Sequence, residues 1–175
     1  MGRASLAAES VWLWALAGAL ALAGLVAGCK VSPEGAPPPQ SASAEAAAEE
    51  ALVTFFARLH DGQFAEAADW FGGSYEPLWQ MNPGIPPDNV VDLWEAACTR
   101  NGFQCLPTLA VKAEPGTAPG GFAFAVQFAA DDGSAFTIGP CCGQGGQLPR
   151  SVFRFVVAAD DSGQYKVMDL PVNSP

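Results

Sequence analysis

The sequence predicts an α+β domain, three helices followed by an antiparallel sheet of about five strands. Two changes of pattern predict it. Between residues 52 and 98 the apolar side chains recur at helical spacing, and after Gly102 the period falls to two. A third observation is size. The chain has 175 residues, half of them apolar and 11 of them Phe, which suffices for one core and leaves some length over.

That extra length lies at the N-terminus. From Ser10 to Cys29 no residue carries a charge, and Val11 to Ala27 is apolar on every helical face. A helix of this kind enters a membrane. A weakly basic start, with Arg3 set against Glu9, precedes it, in the layout of a secretory signal over residues 1–28. The run closes on Leu25-Val26-Ala27-Gly28-Cys29. This segment resembles the lipobox of bacterial lipoproteins. The resemblance implies cleavage before Cys29, a diacylglycerol thioether on its sulfur, and acylation with palmitate-like chains. The rival reading is an uncleaved single-pass anchor, since a stretch of this length can span a bilayer. Each buried methylene contributes about 0.8 kcal/mol, so two acyl chains hold a protein durably. The expected location is the extracytoplasmic face of the cell membrane or the outer membrane, and the first expected partner is the lipid bilayer.

Residues 29–44 hold the lipidated cysteine and a Pro/Ala/Ser-rich tether that cannot build a core. The single domain is expected over 45–175. Its first helix carries Leu52, Phe55, Phe56 and Leu59 on one stripe, with Glu45, Glu49 and Glu50 in the early turns. Gly62 ends it, and Asp61 is placed to cap the second helix, which carries Phe64, Ala67, Ala68 and Phe71. Residues 74–87 are broken by four prolines but hold Tyr75, Trp79, Met81 and Ile85, as a packed flap would. Asp88 is placed to cap a third helix with Val90, Val91, Trp94, Ala97 and Cys98 inward. The expected strands are 106–113, 122–130, 134–138, 151–159 and 164–170. The second is the clearest, with Phe122, Phe124, Val126 and Phe128 on one face and Ala123, Ala125, Gln127 and Ala129 on the other.

Helices ahead of a meander, and the segment from Ala51 to Ala68 with its Asp61-Gly62 turn, resemble the nuclear transport factor 2-like (cystatin-like, ketosteroid-isomerase-like) superfamily. That resemblance implies a cone of curved sheet around a helix over 45–175. It also implies that Trp70, Tyr75, Trp79 and Trp94 stand near the mouth of the cone, where they could line an apolar pocket. Ordinary core and lid packing is the competing account of each ring.

Four cysteines remain beyond Cys29. Export places them where disulfides persist. In a five-strand meander Cys105 stands where the first strand begins, and Cys141-Cys142 stand where the third ends. Eight residues of strand separate them by about 26 Å, beyond disulfide reach. The local pair Cys98–Cys105 is therefore the expected bridge. The spacing matches no common zinc site, and Arg150 is the only cation near Cys141-Cys142 in sequence, so zinc and redox roles rank low.

Two turns, Ala130-Asp131-Asp132-Gly133-Ser134 and Ala159-Asp160-Asp161-Ser162-Gly163, read as hairpin turns. A calcium site is the weaker reading; it requires both turns at one end of the sheet, as the five-strand meander places them. His60, the only histidine, sits where it balances a helix dipole. Asp92 and Asp169 have no visible partner, and Gly139 to Gly146 lacks the Lys and Ser/Thr of a phosphate loop. No cofactor or metal is expected. A net charge of −10 excludes a nucleic-acid footprint. The expected function is non-catalytic binding of an envelope protein or a small apolar ligand. The alternative is a small isomerase- or dehydratase-like enzyme, which needs an apolar pocket with convergent polar groups.

Overall fold

A computed structural model describes residues 39–115, 120–139 and 148–174. The expected leader, Cys29 and the Cys141-Cys142 pair lie outside the described residues. Four helices precede four strands: α1 (Pro39–His60), α2 (Phe64–Ala68), α3 (Glu76–Met81), α4 (Val90–Thr99), β1 (Thr108–Ala113), β2 (Gly121–Phe128), β3 (Phe153–Ala159) and β4 (Tyr165–Val167). The strands form one antiparallel open sheet in the order β1-β2-β3-β4. The α+β class is as expected. The helix and strand counts are not. Among the described residues, no helix is long and apolar enough to cross a membrane.

Helix α1 begins at Pro39, upstream of the expected start at Glu45. Proline is tolerated in a first turn, and the alanines that follow are the best helix formers. Glu45, Glu49 and Glu50 are therefore not in the first turn, which holds no acidic residue. The core begins only at Ala48 and takes in Ala51, Leu52, Phe55, Phe56 and Leu59, the stripe that the spacing predicts. The C-terminus closes on Gly62 at φ +70°, with Gln63 N donating to Arg58 O (2.8 Å) and Gly62 N to Leu59 O (3.2 Å). This is a Schellman motif, and it needs the left-handed conformation that glycine supplies. Gln63, not Asp61, stands at the N-cap of α2, and its side chain makes no capping bond.

The proline-broken segment contains α3, whose first turn holds Pro77 at a position that needs no N–H donor. Leu78 is buried and Tyr75 and Ile85 pack on the core, but Trp79 and Met81 are exposed. At α4 the cap is Asn89, whose Oδ1 accepts from Asp92 N (3.3 Å), and not Asp88. Its inward stripe is Leu93, Trp94, Ala96 and Ala97, while Val91 faces out.

The expected strand 134–138 does not form. Ala135 and Ile138 make isolated bridges to Ala129 and Arg150, and β3 pairs directly with β2. Register explains the outcome. Val126 faces Phe153, Phe124 faces Phe155 and Phe122 faces Val157, so the apolar row of β2 meets the apolar row of β3. Losing one strand reverses the direction of everything after it. The turn at 130–134 lies beyond the end of β2, whereas the turn at 159–163 lies beside its start, since Ala158 faces Gly121. The two Asp-rich turns are thus at opposite ends of the sheet, and the acidic rim that calcium would require is not there.

Sheet and helices meet through rings. Phe56 contacts Phe128 (centroids 4.7 Å) and Phe155 (4.9 Å), and α1 touches all four strands. The β4 edge is covered by the chain after α2. Gly72 N donates to Val167 O (2.9 Å) and Val167 N to Trp70 O (2.8 Å), and Phe71 bridges Val167 in parallel. Where β4 stops, the Asp169 carboxylate accepts from Val156 N (2.6 Å) and so continues the ladder.

Candidate functional site

Cys98 and Cys105 are joined, with Cα atoms 5.5 Å apart, and tie the end of α4 to the approach of β1. The bridge forms where expected, but the argument from distance does not survive. Because 134–138 does not cross the sheet, Ile138 and Arg150 flank the same end as Cys105. The pair stands on its short local loop. With Cys98 and Cys105 bonded, a zinc site made of all four cysteines is excluded. Among the described residues, no three His, Cys, Asp or Glu side chains gather as metal ligands.

The four rings proposed for an apolar pocket part company. Trp94 has no accessible surface, so no water-sized void touches it. It packs on Phe55 (5.5 Å), Phe71 (5.0 Å) and Tyr75 (5.8 Å). Trp94 Nε1 donates to Tyr75 Oη at 3.2 Å, which satisfies the indole in an apolar setting. Burial pushes the Tyr75 hydroxyl above its ordinary value of 10.0; the bond from Trp94 opposes this and the Asp69 carboxylate adds to it. Trp70 packs on the core, and Trp79 stands outside on α3. Among the described residues no polar side chain is buried, and no buried side-chain polar atom lacks a partner.

The residues flagged singly have local work. His60 Nδ1 lies 3.3 Å from Cys105 O, beside the disulfide. Asp92 Oδ2 accepts from Asn89 Nδ2 at the head of α4 (2.7 Å). Asp132 Oδ1 accepts from Ser134 N, and Asp160 Oδ1 from Ser162 N, Ser162 Oγ and Gln164 N. Hydrogen bonds from the serines at 134 and 162, foremost, hold both carboxyls below the usual range. These are turn-building carboxylates.

One surface with open space is the outer face of the sheet. There β2 carries only Ala123, Ala125 and Gln127 between the longer side chains of its neighbours. Lys112, Ala125 and Arg154 stand in one row across three strands. Arg154 Nε reaches across β2 to Glu114 Oε2 (2.8 Å), a crossing that alanines permit and larger residues would block. Beside this pair lies a cleft of about 320 Å³ lined by Ala110, Val111, Lys112, Ala125, Gln127 and Val152. Sequence reading named none of these as a site. The signal was present in β2, whose outward alternate positions are alanines between strands that carry cations.

Comparison with models of protein families, with curated proteins and with solved structures finds no match to this chain.

Proposed function

We propose that the chain is an exported lipoprotein whose domain, of nuclear transport factor 2-like build, binds a partner at the cell envelope without catalysis. The observation that carries the anchoring is the uncharged run that closes on Leu25-Val26-Ala27-Gly28-Cys29. The Cys98–Cys105 bridge supports an oxidising compartment. Helices ahead of an antiparallel sheet, with α1 against every strand, support the fold kinship. The ring-packed interior, among the described residues, favours binding at the surface over binding in a central cavity.

Anchoring is tested by growing the expressing cells with labelled palmitate and separating the lysate into detergent and aqueous phases. The full chain should carry label and enter the detergent phase. Cys29→Ala should lose the label. An unlabelled chain that keeps its first residues would remove the proposal.

A further inference from the structure

The sheet has two unlike edges. The β4 edge is occupied by the backbone of Trp70 to Gly72. The β1 edge is not. Glu114 N donates to Ala123 O, so after the register shift between Thr108 and Ala110 the even-numbered residues Ala110 and Lys112 turn their backbone groups toward β2. The groups of Val111 and Ala113 point the other way, and no described residue bonds to them. An edge of this kind is a template for a further strand.

The side chains above that edge say what kind of strand. Four of the chain's eight basic residues, Lys112, Arg150, Arg154 and Lys166, belong to the sheet or its immediate approach, although the net charge is −10. Three are engaged: Arg154 with Glu114, Lys166 with Asp160, and Arg150 over the ring of Phe153. Lys112 has no partner among the described residues, and it stands on β1 itself, lining the 320 Å³ cleft with Ala110, Ala125 and Val152. Two β1 strands related by a two-fold axis at Val111 would set their Lys112 side chains diagonally, roughly 7–8 Å apart on one face. An axis at Ala113 would set each Lys112 opposite Glu114 of the second copy, but that carboxylate is already engaged by Arg154.

We infer that the β1 edge takes an extended, acidic segment of a partner protein as an added strand. Backbone bonds form to Val111 and Ala113, and the carboxylates of the added strand lie on the outer face, where one pairs with Lys112, while its alternate apolar side chains lie on the opposite face. This deepens the reading of the domain as a binding module and rests on it, but it does not depend on the lipid anchor.

The test uses the full chain in detergent and two labelled ten-residue peptides, one alternating valine with glutamate and one alternating valine with lysine. The acidic peptide should raise in anisotropy and slow amide exchange at Val111 and Ala113 about tenfold. Lys112→Glu, an exposed change that leaves the core untouched, should weaken the acidic peptide about tenfold and favour the lysine peptide. No binding at millimolar acidic peptide, binding that Lys112→Glu leaves unchanged, or protection confined to another element would each overturn the inference. So would protection of these amides by self-association of the free chain. Palmitate incorporation at Cys29, read on the same preparation, reports on anchoring separately.

Discussion

Trp94 and Tyr75 carry the clearest consequences of a single side chain. Trp94 touches three other rings and has no accessible surface, so Trp94→Ala removes a large volume that the surroundings cannot refill. The expected loss is about 3–5 kcal/mol of unfolding free energy, measured by urea titration. Tyr75→Phe is subtler. It leaves the indole N–H of Trp94 without its acceptor and should cost about 1–2 kcal/mol at neutral pH. Alkaline solution narrows the difference. The folded Tyr75 pKa lies above 10.0, so the unfolded chain sheds that proton first. Its stabilising contribution is complete below pH 10 and is lost as pH rises through the folded value. Wild type should therefore fall toward the Tyr75→Phe variant above pH 10. A constant gap from neutral pH to pH 11 would sink this account. The sequence places Trp94 correctly on an inward stripe. Whether empty space adjoins an inward ring depends on Phe55, Phe71 and Tyr75, which reach it through the tertiary fold, and no local pattern encodes that.

The same limit applies to whole elements. The first stripe of α1, the register of β2 and both Asp-rich turns are readable because each depends on neighbours in the chain. The fifth strand is not. Residues 134–138 alternate as a strand should, and Phe136 still packs on Phe153 (6.2 Å), but the place beside β2 belongs to the better-matched Phe153 and Phe155. Strand adjacency is decided by competition among distant segments. Gly73 offers a check on how tightly the chain after α2 is held to the sheet edge. An added Cβ would lie 2.2 Å from Met168 O and 2.6 Å from Phe71 Cζ, both fixed by the covered edge. Gly73→Ala should cost roughly 1–3 kcal/mol, with a matching fall in melting temperature. At Gly84 a new Cβ meets nothing within 4 Å, so Gly84→Ala serves as the neutral control. Equal melting temperatures for the two variants would show that the edge gives way easily. In the β3–β4 turn, the Asp160 carboxyl should titrate below 3.8, and Ser162→Ala should move it upward in a carbon-detected NMR titration. The direction follows from removing its principal hydrogen-bond donor.

At the scale of the whole domain, the described residues form two halves laid together. Residues 39–99 hold the four helices and carry ten acidic residues against one arginine, whereas the sheet and its immediate approach hold half of all the basic residues. Among the described residues, one disulfide joins the halves, Cys98 at the end of α4 to Cys105 ahead of β1. Closing so short a loop restricts the unfolded chain and contributes about 2.5 kcal/mol. That is a sizeable share of the 5–15 kcal/mol or so that holds a domain folded. The native core needs no strand or helix from the bridge itself, because Phe55, Phe56, Phe124 and Phe155 already join the halves. The variant with Cys98→Ser and Cys105→Ser should therefore fold, with the same far-ultraviolet spectrum and a urea midpoint lower by about 1–2 M. Reductant should lower the wild-type midpoint toward that of the double variant. The double variant's own response then reports only on the remaining cysteines, which separates the two contributions. A midpoint that the double substitution leaves in place would mean that the bridge constrains nothing the core has not already fixed.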